Sequence, residues 1–228
     1  MLKQILAALS IVTVITAFAV PLLPASAMEG PAERRARMKV EAQKYPNEAN
    51  EAMKASDFDK AIALYTKAID SKAFDDQPQA LGNIYFGRGV AYRQKQDCNA
   101  AIADFNKALE TINKGDIHFS LAACHLALNQ EDLALKDLDN AVKSDPDAVM
   151  YRSARCKLLF NKRDFAGALA DCDKAVAATP TDKDLLVAAA QSAEQTGNRQ
   201  RAAELYRQLL AADPGNTIAS EGLKRVAS

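Results

Sequence analysis

The sequence of 228 residues has no tryptophan, only two histidines and no excess of charge, with 29 Lys plus Arg against 29 Asp plus Glu. A domain that binds duplex nucleic acid usually carries a basic excess, so the balanced charge argues against a nucleic-acid partner. The sequence also lacks a Walker loop, a Rossmann fingerprint, HExxH, GxSxG and CxxC. We therefore expect no enzyme, no cofactor and no metal site.

A long uncharged run lies near the N-terminus, where residues 5–20 follow a single cation, Lys3. Two prolines then interrupt the run before the small residues 25–27. This order is typical of a secretory signal peptide, and the run is shorter than the roughly 20 residues that span a bilayer. We predict a signal peptide over residues 1–27 and a mature protein that is exported, either periplasmic or secreted. The alternative is an uncleaved membrane anchor.

The rest of the sequence repeats one pattern at intervals of about 34 residues. The pattern is a triplet that occurs five times. Each triplet begins with an alanine, has a larger residue four positions later and ends with another small or apolar residue three positions after that. The five leading alanines are 40, 33, 34 and 34 residues apart. Another small residue stands twelve positions before each leading alanine, in a second amphipathic run. The triplets are Ala61–Tyr65–Ala68, Ala101–Phe105–Ala108, Ala134–Leu138–Ala141, Ala168–Cys172–Ala175 and Ala202–Tyr206–Leu209, and the earlier small residues are Ala49, Gly89, Ala122, Cys156 and Ala190.

Each copy predicts two helices joined by a tight turn, because polar and turn residues separate its two runs. The pattern resembles the tetratricopeptide repeat family over residues 42–216. The second copy matches the family's signature residue types at Tyr85, Arg88, Gly89, Tyr92, Ala101, Phe105 and Ala108. The resemblance implies an all-α fold: a right-handed α-solenoid of about five helix-turn-helix units that binds other proteins without catalysis.

The repeat period divides the mature chain into units and caps. A basic helix over residues 28–41 and a short helix over 217–228 are expected as caps, because an end repeat otherwise exposes its apolar face. Contact of the basic helix with anionic lipid is the alternative, but its cations are interrupted by Glu33 and Glu41. We therefore expect no membrane contact after signal removal. The predicted units are 42–75, 82–114, 115–148, 149–182 and 183–216.

The resemblance further implies a concave groove, lined by the first helix of each unit, that receives a peptide or helix of a partner protein. Carried onto this sequence, the groove holds an apolar track flanked by basic residues; burial of the same side chains in the core is the alternative. Self-association as a structural module of the cell envelope, giving a homo-oligomer, is the alternative function. The predicted groove residues are Phe86, Val90, Arg93, Phe119, Leu126, Lys157, Phe160, Val187 and Gln191.

Four cysteines in an exported chain suggest disulfides. The candidate pairs are Cys98–Cys124, between adjacent helices of units two and three, and Cys156–Cys172, on paired helices of unit four. The second pair is expected to lie about one helical turn out of level, which works against a bridge. Four buried thiols in alanine-like sites are the alternative.

The two histidines are the only basis for a metal hypothesis. His118 and His125 lie seven residues apart, whereas a helical metal-binding pair has the spacing i, i+4. We expect both to face the core.

Overall fold

All regular structure in the described part of the chain is α-helical. The computed structural model describes residues 30–227, so the predicted signal peptide over residues 1–27 lies outside it. No helix within residues 30–227 is both long and apolar enough to cross a membrane. The helices are α1 Pro31–Ala42, α2 Tyr45–Lys54, α3 Phe58–Asp70, α4 Pro78–Gln94, α5 Cys98–Leu109, α6 Gly115–Ala127, α7 Glu131–Ser144, α8 Val149–Asn161, α9 Phe165–Ala178, α10 Lys183–Gln195, α11 Arg199–Ala212 and α12 Thr217–Ala227.

Consecutive helices pack in pairs, which we call units one to five: α2 with α3, α4 with α5, α6 with α7, α8 with α9, and α10 with α11. The second helix of each unit packs against the first helix of the next unit, and α12 packs against α11. The core is therefore a row of contacts between neighbours rather than one central cluster, as in other repeat proteins. The prediction of an all-α solenoid is confirmed.

Two helices begin at a proline. α1 begins at Pro31, and α4 begins at Pro78, within the extra length between the first two repeats. Proline is favoured in the first turn of a helix, where its missing N–H has no helical partner to lose. α4 runs for 17 residues and so takes up part of the extra length between the first two units.

Each unit turns between its two helices through one residue in the left-handed backbone region, with φ between 58° and 77°. The following residue caps the second helix in four units, where an Asp or Asn side chain accepts a hydrogen bond from the backbone N–H three positions on. Gln130 holds this position in unit three and makes no such bond. The left-handed residues are Ser56, Gln96, Asn129, Arg163 and Gly197.

Within each unit, the small residue of the first helix and the large residue of the second are both buried. In unit two, a Cβ atom on Gly89 would lie 2.7 Å from Cε1 of Phe105. Only glycine therefore allows α4 and α5 to approach this closely around a fully buried ring. The equivalent pairs are Ala49 and Tyr65, Ala122 and Leu138, Cys156 and Cys172, and Ala190 and Tyr206.

Candidate partner groove

The three phenylalanines of the predicted groove are half-buried, because each ring packs on an aromatic ring elsewhere in the repeats. The ring of Phe86 lies 5.8 Å from that of Phe105, Phe119 lies 5.4 Å from Tyr151, and Phe160 lies 6.0 Å from Phe165, measured between centroids. Tilted and edge-on pairs at these separations are favourable. Each phenylalanine therefore contributes one face to the core and leaves part of its surface free. This placement lies between the two alternatives from the sequence, exposure in the groove and burial in the core.

One other predicted groove residue is more accessible than the phenylalanines. Leu126 is 40% exposed, which is high for a leucine in a packed helix. Val90, Val187 and Gln191 are half-buried on the first helices of units two and five. Apolar side chains that are partly accessible along successive first helices provide contact area for a partner.

Two cavities open along these first helices. One has a volume of about 520 Å³ and is lined by Arg93, Cys98 and Ala123, among others. The other, of about 480 Å³, brings together Lys157, Phe160 and Val187 from units four and five. Of the nine predicted groove residues, Arg93 thus lines the first cavity, near units two and three, and Lys157, Phe160 and Val187 line the second, near units four and five. The other five lie on the first helices but line neither cavity.

The two lysines that line the second cavity lie near carboxylates of the same chain. Lys157 Nζ lies 3.7 Å from a carboxylate oxygen of Asp182, and Lys183 Nζ lies 3.6 Å from one of Asp213. Ion pairs this exposed contribute little to stability. They do reduce the net field that a ligand would meet in the second cavity.

Buried aspartates form a set of polar contacts that the sequence analysis missed. Asp104 accepts two hydrogen bonds of 2.8 Å from the guanidinium of Arg88, which also donates to Thr66 at 3.0 Å. Asp171 accepts bonds from Arg155 at 2.5 and 2.9 Å and from Arg152 at 2.8 Å. Because both carboxylates are nearly inaccessible to water, the arginines supply the hydrogen bonds that burial removes.

The signal for this set is present in the sequence. An aspartate precedes the large residue of the second helix in units two, three and four, at positions 104, 137 and 171. In unit three the partner is a histidine, since His125 Nδ1 lies 2.6 Å from Asp137 Oδ2. Burial raises the pKa of Asp137, and hydrogen bonding to His125 works in the opposite direction.

The histidines are held by polar neighbours rather than by each other. His118 Nε2 lies 3.1 Å from the Asn113 side-chain oxygen, and burial lowers the pKa of His118. Within residues 30–227, no group of three or more His, Cys, Asp or Glu side chains is arranged to hold a metal ion.

The cysteines divide into a bonded pair and an unbonded pair. Cys156 and Cys172 form a disulfide with their Cα atoms 5.3 Å apart, so the expected misalignment by one turn is wrong for these helices. The two positions face each other directly, as Gly89 and Phe105 do in unit two. Cys98 and Cys124 are buried free thiols. Burial, followed by a hydrogen bond with Cys98, raises the pKa of Cys124 to about 12.

Comparison with known proteins agrees with this architecture. The family profile described as "Tetratricopeptide repeat" matches residues 47–117, 121–183 and 187–223. A search of curated proteins found no significant match.

Several solved structures share the fold. The structure described as "Crystal structure of YrrB: a TPR protein with an unusual peptide-binding site" is 24% identical, with a TM-score of 0.67, and the alignment covers 85% of this chain and 99% of that one. MamA is 16% identical, with a TM-score of 0.63 and coverage of 76% and 92%. A tetratricopeptide repeat protein from Parabacteroides merdae ATCC 43184 is 16% identical, with a TM-score of 0.63 and coverage of 81% and 72%. Since the family profile matches most of the sequence, the chain belongs to the tetratricopeptide repeat family.

Proposed function

We propose that this protein is an exported, non-catalytic scaffold that binds a peptide or helical segment of another protein in a groove along α4, α6, α8 and α10. The observation that carries the proposal is the row of half-buried aromatic and exposed apolar side chains on these helices, next to two open cavities. Helix-in-groove and extended-peptide recognition both use anchors of this kind. YrrB, which shares the fold, is described as having an unusual peptide-binding site, and this adds support by analogy.

The export part of the proposal is supported by two features. The uncharged run over residues 5–20 has the composition of a signal peptide. The Cys156–Cys172 disulfide is of a kind that forms and persists mainly in oxidising compartments. Cell fractionation with N-terminal sequencing of the recovered protein tests this part. A new N-terminus at Met28 in the exported fraction is expected, and full-length protein confined to the cytoplasm would contradict it.

The groove can be tested with two leucines that differ in place but not in accessibility. Leu126, on α6, belongs to the predicted groove and is 40% exposed, whereas Leu133, on α7, lies outside it and is 47% exposed. Binding to partner peptides selected from a display library should weaken severalfold for Leu126→Ala and remain unchanged for Leu133→Ala. Equal effects of the two changes would place the binding surface elsewhere.

Self-association is the second candidate function, and the exposed side chains of α1 favour it. Met38 is 55% exposed and Val40 is 72% exposed, so the last turns of α1 present apolar surface to solvent. Light scattering across a range of protein concentrations should then show a dimer or larger species that Val40→Lys disrupts. A monomer at every concentration would remove this candidate.

A further inference from the structure

The cavity of about 520 Å³ near units two and three differs from its counterpart in charge. Its lining residues include Arg93, Gln94 and Gln96, together with the apolar residues Ala123, Ala127 and Leu128. The cavity is thus lined by one cationic residue, two residues with side-chain amides and several apolar residues. The inference that follows rests on the proposed function, because it concerns what the groove binds.

Arg93 is the unusual residue of this cavity. Its Nε atom is buried without a hydrogen-bond partner, and none of the ion pairs found within residues 30–227 involves it. The other arginines of the first helices in units two and four, Arg88, Arg152 and Arg155, are all held by buried aspartates. The Nε N–H of Arg93 has therefore lost its contact with water without gaining a hydrogen bond in the described part of the chain. The guanidinium as a whole is half-buried and has no ion-pair partner among residues 30–227.

We propose that Arg93 binds the side-chain carboxylate of an Asp or Glu residue in the partner segment, with small apolar side chains next to that residue packing on Ala123, Ala127 and Leu128. A guanidinium can bond a carboxylate through two parallel N–H groups, which gives both energy and orientation. The amides of Gln94 and Gln96 supply further donors at the rim.

A side-chain carboxylate fits this site better than the carboxylate of a chain end. The predicted groove continues beyond Arg93 to the second cavity, where Phe160 and Val187 offer apolar contacts. A segment that uses both recesses passes by Arg93 instead of ending there. The second cavity does not compete for the acidic residue, because its lysines, Lys157 and Lys183, lie near Asp182 and Asp213.

The test selects peptides on the mature protein from two random display libraries, one with the peptide C-terminus fused to the display protein and one with a free C-terminus. The variants are Arg93→Gln and, as a matched control, Arg207→Gln on the exposed side of α11. Sequences enriched by the wild type and by Arg207→Gln should share an Asp or Glu at one fixed position of the fused library, and those enriched by Arg93→Gln should not. Replacement of that acid by its amide should weaken binding to the wild type by about tenfold or more, since a charge-assisted hydrogen bond contributes about 1.5–3 kcal/mol.

Each other outcome has a separate meaning. Enrichment without a fixed acidic residue, or with the same acidic residue for Arg93→Gln, would overturn the assignment of Arg93 while the proposed function stands. Enrichment from the free-C-terminus library alone would show that Arg93 takes a terminal carboxylate and would overturn the side-chain proposal. Failure of the wild type to enrich any peptide would count against the groove itself and overturn both. Arg93→Gln should be at least as stable to unfolding as the wild type, because the substitution breaks no ion pair and removes a buried N–H that has no hydrogen-bond partner.

Discussion

Units two and four share two of four equivalent positions and differ at the other two, and equivalent positions lie 67 residues apart along the chain. Both units have an arginine and a buried aspartate in contact, Arg88 with Asp104 and Arg155 with Asp171. At the neighbouring position, unit two has Gly89 against the ring of Phe105, whereas unit four has the Cys156–Cys172 disulfide. The two helices of a unit can therefore be held at close range either by a large ring packed against a glycine or by a covalent bond between two small residues.

The difference lies in where the stabilisation arises. Burial of the Phe105 ring stabilises the folded state through apolar area and dispersion contacts. The disulfide fills less space and acts largely by limiting the unfolded chain, although the balance of entropy and enthalpy depends on the model used. Unit two should therefore respond to changes in side-chain volume, and unit four to reductant.

The largest expected effect comes from removing the Phe105 ring, which packs against Gly89 in unit two. Phe105→Ala should lower the free energy of unfolding by about 3–5 kcal/mol, because the ring is fully buried and its loss leaves a cavity. Urea unfolding measures the change, and hydrogen exchange should show the loss of protection concentrated in α4 and α5. Leu133→Ala is the control and should shift stability by less than about 0.5 kcal/mol. A loss near 1 kcal/mol for Phe105→Ala would mean that neighbouring side chains refill the space.

Reduction of the disulfide should come next. Its cysteines are 16 residues apart, and closing a loop of this length is worth about 3 kcal/mol. Reductant should therefore lower the unfolding free energy of the wild type by about this amount and leave the Cys156→Ser/Cys172→Ser double variant unaffected. Protection from hydrogen exchange should fall in α8 and α9 but not in α4 and α5. An equal loss in both units would indicate that the bond stabilises the whole stack.

Replacement of the two buried aspartates should cost different amounts of stability, because each aspartate binds a different number of arginines. Asp171→Asn should cost about 2 kcal/mol, since it weakens charge-assisted bonds to two arginines, and Asp104→Asn should cost less because only Arg88 depends on it. Thermal unfolding of the two variants side by side measures the difference. The reverse order would show that access of water to Arg152 and Arg155 outweighs their number.

The smallest effect is expected for Gly89→Ala. The new Cβ would lie 2.7 Å from the Phe105 ring, so the ring or a helix must shift. Alanine gains up to about 1 kcal/mol over glycine in a helix interior, which offsets part of the strain and leaves a net loss of about 1 kcal/mol. The combination with Phe105→Leu should relieve the clash, and a double-mutant cycle measures this coupling. If the two changes in unfolding free energy simply add, Gly89 and Phe105 do not affect each other.

The sequence was sufficient for the helices, their pairing and the buried small and large residues, because these depend on spacing alone. The contact of Gly89 with Phe105 follows from a fixed separation of sixteen residues across a turn of constant length. The groove residues and the repeat boundaries stay predictions.

Features that depend on side-chain direction were harder to predict. The expectation that Cys156 and Cys172 lie out of level is wrong because these two positions face each other across the unit, as Gly89 and Phe105 do in unit two. The pairing of Asp171 with two arginines was also missed. The two arginines lie 16 and 19 positions before Asp171 in the sequence, and only the packing of the helices brings the three side chains together.

The position of the disulfide within a single unit has a mechanical consequence. No covalent bond joins one described unit to another apart from the backbone, so a force applied to the ends of residues 30–227 can peel the units apart in turn. When unit four gives way, the 15 residues between its cysteines stay out of the line of tension, which shortens the released length by about 50 Å at roughly 3.5 Å per residue. In a single-molecule pulling record, one short step among longer ones would mark this unit, and reductant would restore its full length.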